Sequence, residues 1–445
     1  MEQTIYRSSM FNMLVKDGQC SYIYNSYQGL NGVRRIELSD TEQVESLLDQ
    51  KEIKRDGSEL VERLIEKKYL VPADHDEKAD RDRLYYEYTM DTTLDLMIHT
   101  TESCNFRCRY CALDFKSNML EEDVQDRIIN YIRKNVRRHT ALSIDWFGGE
   151  PLVGMSAIER MSEKIIAICR EAHIPYRANV TTNGFLLTPE NVQKLLAAHV
   201  VSITVTIDGL KETHDDQRIA ADGSPTWDRL IGNLEWIRDN VKNRHFFVNI
   251  RANFTKKMFE ELPEFYSLLN EKFGSDGRFS FFARPVGDWG GERVKGIYDR
   301  LVEGSQMSLV YQYLAENQKQ LVCRVNQAQL EPLGSQCRSS KKNRYVITVS
   351  GKVQKCETVS PKHEIGYLDE SGNMILDWHN ENMWIFGYRK KNNSKCDECP
   401  ISCVCMRGTC PKNGVLYPNF VQCGYAAECA DIVKLVGRTN DIETL

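Results

Sequence analysis

The sequence has no long apolar run. Its opening residues, MEQTIYRSSMFNMLVKDGQC, interleave charged and polar side chains, which excludes a signal peptide there, and no later segment approaches a membrane span. A surplus of positive charge is also missing. With a formal net charge of -5, neither nucleic acid nor an anionic membrane is an expected partner, and a cytoplasmic address follows as an expectation. No internal repeat of solenoid type is visible, so the fold is not a stacked array. Apolar residues make up 41% and charged residues 27%, ordinary for a globular chain. At 445 residues, two or three domains are expected.

Cysteine, by contrast, is abundant, at fifteen residues. A reducing compartment disfavours a disulfide framework, so grouped cysteines point to metal or cluster ligation. Cys20 and Cys169 stand apart, in strand-like and helical contexts, and read as packing residues.

Residues 1–85 read as a small unit of their own. Short β-like pieces lie around Phe11 to Val15, Ser21 to Tyr24 and Val33 to Leu38, followed by two helical patterns. In the second, SELVERLIEKKYLV, residues Leu60, Val61, Leu64 and Ile65 share one stripe, with a strand-like exit. The charged run HDEKADRDR from His75 reads as a solvated linker, with the boundary at 86–92.

From about residue 93 to 310 apolar strands alternate with amphipathic helices, which predicts an α/β fold with a parallel sheet. The strand candidates are LDLMIH, LSIDWF, YRANVT, VSITVTID, FFVNIRANF and FSFFARP; a helix with Trp227, Leu230, Ile231, Leu234 and Ile237 at helical spacing separates two of them. Parallel strands buried on both faces read as continuous apolar runs, yet several of these alternate strictly. Val201, Ile203, Val205 and Ile207 oppose Ser202, Thr204, Thr206 and Asp208. Likewise Asn249, Arg251 and Asn253 oppose Val248, Ile250 and Ala252, and Arg177, Asn179 and Thr181 oppose Ala178 and Val180. Helices on the apolar face would leave the polar set pointing into an open barrel, where water or a polar ligand must satisfy it. The alternative, an antiparallel sheet with a solvent face, is disfavoured by the intervening helices. The region 320–445 is poor in long periodic segments and rich in cysteine, so metal staples in place of a core are expected.

The stretch TESCNFRCRYCALDF holds Cys104, Cys108 and Cys111 directly after the first strand. Three thiolates leave one iron of a four-iron cluster open for a substrate, and the end of a β/α strand is where such folds place chemistry. Zinc prefers a closed four-ligand site, and no fourth Cys or His lies at finger spacing. After the second strand, WFGGEP places Gly148, Gly149, Glu150 and Pro151; the glycines would let backbone approach a ligand, and Glu150 can accept from an ammonium group.

CxxxCxxC followed by GGEP resembles the radical S-adenosylmethionine superfamily, over about residues 93–310. The resemblance implies a partial (β/α)6 barrel. It also implies a 4Fe-4S cluster on Cys104, Cys108 and Cys111, chelation of S-adenosyl-L-methionine by the open iron, and hydrogen abstraction by a 5′-deoxyadenosyl radical. It further implies a contact of the GGEP segment with the amine, Tyr110 near the adenine, Asn183 near the ribose, and Thr206 and Arg218 in a further S-adenosylmethionine-contacting segment. A guanidinium at Arg218 suits a carboxylate, though a surface role in its charged loop is the competing reading. An electron donor such as flavodoxin or ferredoxin is an implied partner.

Near the C-terminus, Cys337 is followed by thirteen residues, Gly351, four residues and Cys356, and then by CDECPISCVCMRGTCP and Cys423. This resembles the SPASM extension of peptide-modifying radical enzymes, which holds two auxiliary clusters. The resemblance implies Cys396, Cys399, Cys405 and Cys423, with Cys429 in reserve, for an outer 4Fe-4S cluster, and Cys337, Cys356 and Cys410 for an inner one. The gap before Cys410 is four residues where the family usually has three, so Cys403 could stand in for Cys405. The inner cluster's fourth ligand is Cys323, or an iron left open. Zinc knuckles are the alternative for the CxxC pairs.

Relatives of this kind crosslink ribosomally made peptides or oxidise a sulfatase residue. The N-terminal unit resembles the winged leader-recognition domain of peptide maturases, which binds a leader as an added strand. The expected function is an intrapeptide Cys sulfur-to-carbon thioether in a precursor peptide with its leader. A carbon-carbon crosslinking maturase, a formylglycine-forming sulfatase maturase and a noncatalytic cluster protein are the alternatives.

Overall fold

A computed structural model describes residues 4–18, 20–288, 291–323, 329–358, 363–387, 394–406, 410–416 and 425–445. The chain forms two compact units, one made of Met1–Asp91, Asn326–Lys341 and Met383–Leu445, the other of Thr92–Val325 and Lys342–Asn382. Among the described residues no helix is long and apolar enough to cross a membrane.

The first unit begins with β1 (Ile5–Ser8), β2 (Asn12–Asp17), β3 (Cys20–Asn25), β4 (Val33–Glu37), α1 (Leu38–Leu48), β5 (Ile53–Lys54), α2 (Glu59–Glu66), β6 (Leu70–Pro72) and α3 (Glu77–Thr89). β2, β3 and β4 form an antiparallel meander, and β1 pairs antiparallel with β5 and β6. The three expected β pieces are β2, β3 and β4; the short β1 and β5 carried no legible pattern. Ser58 caps α2 by accepting the Val61 N–H, and the expected stripe delivers Val61 and Leu64 into a core with Ile23, Ile36 and Val44.

The charged run is not a linker, because α3 runs through it. Asp76 caps that helix by accepting the Ala79 N–H. Glu77 turns inward, where it accepts from Arg7 Nη1 at 2.5 Å, Ser9 Oγ at 2.5 Å and the Met10 N–H at 3.0 Å. Three donors on one carboxylate offset its desolvation, which is why a charged residue here is core.

The second unit contains β7 (Thr93–Thr101), α4 (Glu122–Asn135), β8 (Ala141–Gly148), α5 (Met155–Ala172), β9 (Tyr176–Thr182), α6 (Pro189–Ala197), β10 (Val200–Thr206), α7 (Lys211–Gln217), α8 (Trp227–Asn240), β11 (Phe247–Phe254), α9 (Lys256–Phe273), β12 (Phe279–Pro285), α10 (Gly304–Glu316) and β13 (Val322–Cys323). β14 (Arg344–Ile347), β15 (Lys352–Gln354), β16 (Glu364–Leu368), β17 (Met374–Leu376) and α11 (Trp378–Ile385) follow in the chain. β7 to β13 lie side by side in chain order, all parallel, and β14 pairs parallel with the other side of β7 before β15, β16 and β17 continue antiparallel. All six expected strands are present. The five residues of the expected α8 stripe are buried.

In β11 the alternation divides buried from half-buried residues. Val248, Ile250, Ala252 and Phe254 are buried while Asn249, Arg251 and Asn253 are half-buried. The polar face bonds laterally from strand to strand. Arg344 Nη1 reaches Asp95 at 2.6 Å and Asp145 at 3.2 Å, Asn179 Nδ2 donates to Asp145 at 2.9 Å, Asn249 Nδ2 donates to Ser202 Oγ at 2.7 Å, and Ser280 Oγ donates to Asn249 at 2.9 Å.

The first unit resumes with α12 (Ser394–Asp397), α13 (Ser402–Cys405), α14 (Pro411–Leu416) and α15 (Tyr425–Thr439). The C-terminal region was expected to build little core of its own, and its last helix joins the core of the N-terminal strands. Cys429, Ile432, Val433 and Val436, one helical stripe of α15, pack with Val15, Tyr22, Tyr24, Val33, Ile401 and Val404.

Candidate functional site

β7 ends at Thr101, and the three cysteines of the following loop are held by backbone bonds. The Ser103 N–H donates to Thr101 Oγ1 at 2.9 Å, the Phe106 N–H to Cys104 Sγ at 3.4 Å, and the Cys111 N–H to the Cys108 carbonyl at 3.3 Å. From the far side, the Arg107 and Arg109 N–H groups donate to the carbonyls of Ile219 and Gln217 at 2.8 and 3.0 Å. Cys108 is buried, and Cys104 and Cys111 are half-buried.

Burial, and next the charge of Glu150, pushes the Cys104 thiol up to about 12. Burial raises Cys108 to about 11 against the pull of Arg218, and burial also raises Cys111. To serve as ligands these thiols must lose their protons to the metal they bind.

The loop is pinned to the end of β8 by a backbone seam. Gly149 donates to the Thr101 carbonyl at 2.9 Å and Glu150 to the Ser103 carbonyl at 2.8 Å. Gly148 has φ +140°, and a Cβ there would stand 2.3 Å from the Thr101 oxygen; at Gly149 it would stand 2.2 Å from the Ser103 oxygen. The close approach the two glycines permit is therefore to the cysteine loop itself. Pro151 opens a 3-10 turn, and its carbonyl accepts from Thr100 Oγ1 at 3.0 Å.

Glu150 is buried at the centre of this seam. Its Oε1 accepts from Thr182 Oγ1 at 2.6 Å and the Leu152 N–H at 3.1 Å, and its Oε2 from the Asn183 N–H at 2.7 Å. Burial raises its pKa, opposed by these donors. Asn183 Nδ2 donates to Asn105 Oδ1 at 2.7 Å, which ties the end of β9 to the cysteine loop.

Tyr110 and Arg218 meet in a second network. The Tyr110 hydroxyl donates to Asp208 Oδ2 and accepts from Arg218 Nη1 at 2.6 Å and Asn253 Nδ2 at 2.9 Å. Asp208 Oδ1 accepts the Asn253 N–H at 2.8 Å. Thr206 Oγ1 accepts from Arg251 Nη2 at 2.9 Å. Burial opposes the Arg218 charge, but Cys108, Tyr110 and Asp208 more than offset it, so the guanidinium stays ionised. Arg218 is thus a buried residue and no surface charge. Asp208 and Asn253 were not singled out as site residues from sequence; their places on the polar faces of VSITVTID and FVNIRANF were the available signal.

The donor set suits an iron-sulfur cluster. Three thiols share one loop, where Cys108 and Cys111 lie near enough for their charge to act on Cys104; Phe106 donates to one sulfur, and Arg218 supplies positive charge beside Cys108. Among the described residues no three His, Cys, Asp or Glu side chains close on a point that could hold a single metal ion. Ligands to a four-iron cube surround a larger body, each meeting a different iron.

The remaining cysteines fall in both units. Cys337 is exposed, and Cys356, Cys396, Cys399, Cys405 and Cys410 are half-buried; Cys423 lies outside the described residues. In the first unit Cys399 and Cys405 pack against the cluster that contains Cys429, and burial, followed by the charges of Glu428, Cys405 and Cys399, pushes Cys429 up to about 12. Cys403 is turned elsewhere: it is buried and bonds to Ser26. Cys323 is buried at the edge strand β13, and Cys169 within α5.

Residues 98–268 match the Radical SAM superfamily. The radical SAM cyclopropyl synthase TigE of Paramaledivibacter caminithermalis is 24% identical over 248 residues, 51% of this chain and 50% of that protein. The chain spans about half the length of the curated relatives it matches. Among solved structures, native anSMEcpe with bound AdoMet and Cp18Cys peptide has a TM-score of 0.60 at 17% identity, covering 79% of this chain and all (100%) of that one. Streptococcus suis SuiB bound to S-adenosylmethionine has a TM-score of 0.50 at 16% identity, covering 91% of this chain and 96% of the other. These likenesses show an α/β fold with a large, mostly parallel sheet, similar to that of radical SAM proteins.

Proposed function

We propose that this chain is a radical S-adenosylmethionine peptide maturase that forms an intrapeptide Cys sulfur-to-carbon thioether in a ribosomally made precursor. The observation that carries the radical chemistry is the seam joining the loop of Cys104, Cys108 and Cys111 to Glu150 at the adjacent ends of β7 and β8. When bound, a 4Fe-4S cluster with S-adenosylmethionine supplies reductive cleavage of the sulfonium and abstraction of a substrate hydrogen.

The chain's own groups position and shield. Cys104, Cys108 and Cys111 would hold the cluster, with Cys108 buried and the other two half-buried. Glu150, a buried carboxylate fixed by three protein donors, would supply the contact to the amine of the cosubstrate. Tyr110, Asp208, Arg218 and Asn253 hold one another in place on the polar strand face, which would line the lumen of a partial (β/α)6 barrel. Auxiliary 4Fe-4S clusters would use the C-terminal cysteines in a SPASM-like arrangement, with Cys399, Cys405 and Cys429 as the grouping the first unit favours.

Support for a peptide substrate comes from two directions. The structural relative anSMEcpe carries a bound peptide. The first unit has antiparallel β edges to which an extended leader could add as a strand. An electron donor such as flavodoxin or ferredoxin completes the partner set.

The test is incubation of anaerobically reconstituted, reduced enzyme with S-adenosylmethionine and a Cys-bearing precursor. The expected products are 5′-deoxyadenosine and a peptide lighter by two hydrogens whose cysteine no longer alkylates. An unchanged peptide alongside 5′-deoxyadenosine would remove the peptide assignment. The full-length match to anSMEcpe favours a second reading, oxidation of a Cys or Ser to formylglycine without a ring. Leaderless peptide separates the two, since only the crosslinking maturase should need the leader. Deleting residues 1–85 would not serve, because Val15, Tyr22 and Val33 share their core with α15.

A further inference from the structure

The outer edge of β4 already has an occupant. Thr444 lies opposite Arg35 in a parallel bridge: the Arg35 N–H donates to the Glu443 carbonyl at 3.1 Å, and the Leu445 N–H donates to the Arg35 carbonyl at 2.8 Å. Side chains fix the register. The Glu443 carboxylate accepts from Lys67 Nζ at 3.1 Å and lies 3.1 Å from Arg34 Nε, and Leu445 packs against the cluster of Ile23, Ile36, Val44, Val61 and Leu64. Ile442 packs on the other side, with the α15 core.

This contact is small. It uses one residue of the five in β4, and its ion pairs are partly exposed, the Glu443 side chain at 58%; such pairs contribute little. Arg34 Nε is buried yet finds no acceptor in hydrogen-bond geometry, although the Glu443 carboxylate stands beside it. A better-placed carboxylate would take that donor.

We propose that residues 442–445 are a built-in stand-in at a strand-addition site, and that an extended precursor segment with an acidic residue followed two positions later by leucine displaces them to dock on β4. The proposal rests on the peptide-maturase reading for the identity of the docking segment. Arg35 supplies the backbone pairing, Arg34 and Lys67 select the carboxylate, and the apolar cluster under Leu445 selects the aliphatic side chain. The segment 442–445 thereby competes with substrate until a better-fitting strand arrives.

The test uses the reconstituted full chain and a fluorescein-labelled synthetic peptide of sequence TNDIETL, read by fluorescence anisotropy, which needs no turnover. Glu443→Lys in the protein removes the selected carboxylate while leaving β4, Arg34 and Lys67 intact. The labelled peptide should bind this variant at least tenfold tighter than it binds wild type. Changing the peptide's own Glu to Lys, or its Leu to Ala, should cost it at least tenfold. A second protein variant, Leu445→Ala, guards against a folding defect of the first and should also open the site.

Equal binding to wild type and both variants, or no binding to any of them while circular dichroism stays native, would overturn the stand-in role. Unlabelled leader should displace the peptide. Displacement by leader supports docking at this edge even if the peptide is never crosslinked, whereas peptide binding that leader cannot reverse overturns the assignment of the edge to precursor.

Discussion

Asn183 donates its backbone N–H to Glu150 Oε2 at 2.7 Å, so the end of β9 is fastened to a carboxylate that belongs to the end of β8. With Thr182 and Leu152 on the other oxygen, the group accepts from three strand-end donors at once. Glu150→Gln puts an amide NH2 where one oxygen accepts, leaving a buried donor facing a donor. The expected loss is about 1–3 kcal/mol of stability, read as a lower urea midpoint. Because the same carboxylate is the group proposed to face the cosubstrate amine, equilibrium dialysis should show weaker S-adenosylmethionine binding as well. Thr182→Val, which removes one donor and keeps its shape, should cost less on both measures.

Two glycines make a paired test of the seam. At Gly149 a Cβ would stand 2.2 Å from the Ser103 carbonyl oxygen, a backbone atom that cannot swing aside. Gly149→Ala should push the cysteine loop off β8 and lower iron incorporation on reconstitution severalfold. Gly232, within α8, has nothing within 4 Å of its would-be Cβ. Gly232→Ala should leave iron content unchanged and raise stability by about 0.5–1 kcal/mol. If both variants retain full iron, the seam does not position the loop.

What the sequence showed and hid follows from the range of the interactions involved. The strict alternation of VSITVTID and FVNIRANF is set by one residue's position relative to the next, so the polar face with Asp208 and Asn253 was legible before any fold was known. Cys104, Cys108 and Cys111 were legible for the same reason. Helix α3 was not, since the inward turn of Glu77 depends on Arg7, Ser9 and Met10, donors on and just after β1, far back in the chain. The contact of Gly148 and Gly149 with the backbone of Thr101 and Ser103 was hidden, a relationship only strand packing creates. The stripe Cys429, Ile432, Val433 and Val436 was present in the sequence but masked by the cysteine-rich context around it.

His99 gives the chain a pH-dependent stability with a definite sign. It lies on β7, buried against Phe147, and burial with the charge of Arg344 lowers its pKa from 6.5 to about 4. The folded state therefore holds it neutral. Its contribution is fully present above pH 6.5 and is lost as pH falls toward 4, because the unfolded chain binds the proton first. The depression corresponds to about 3 kcal/mol across that window. His99→Gln removes the titration, so the difference in denaturation midpoint between wild type and variant should shrink as pH is lowered from 7 to 4. A difference constant with pH would place the titration elsewhere.

Among the C-terminal cysteines the first unit separates Cys405 from Cys403, although they are two residues apart on α13. Cys405 packs with Cys399 against the cluster containing Cys429, while Cys403 is buried toward Ser26. A thiol that serves a cluster must be able to meet inorganic iron; one that is fully buried in the fold serves packing. Cys429→Ser and Cys405→Ser should each lower the iron content of reconstituted protein by about one four-iron cluster's worth, with the S-adenosylmethionine-responsive electron paramagnetic resonance signal of the Cys104, Cys108 and Cys111 site retained. Cys403→Ser should leave the iron content at the wild-type value, and its cost should appear as a lowered melting temperature. The reverse pattern, iron lost with Cys403→Ser and kept with Cys405→Ser, would exchange the two roles and require α13 to turn when the cluster binds.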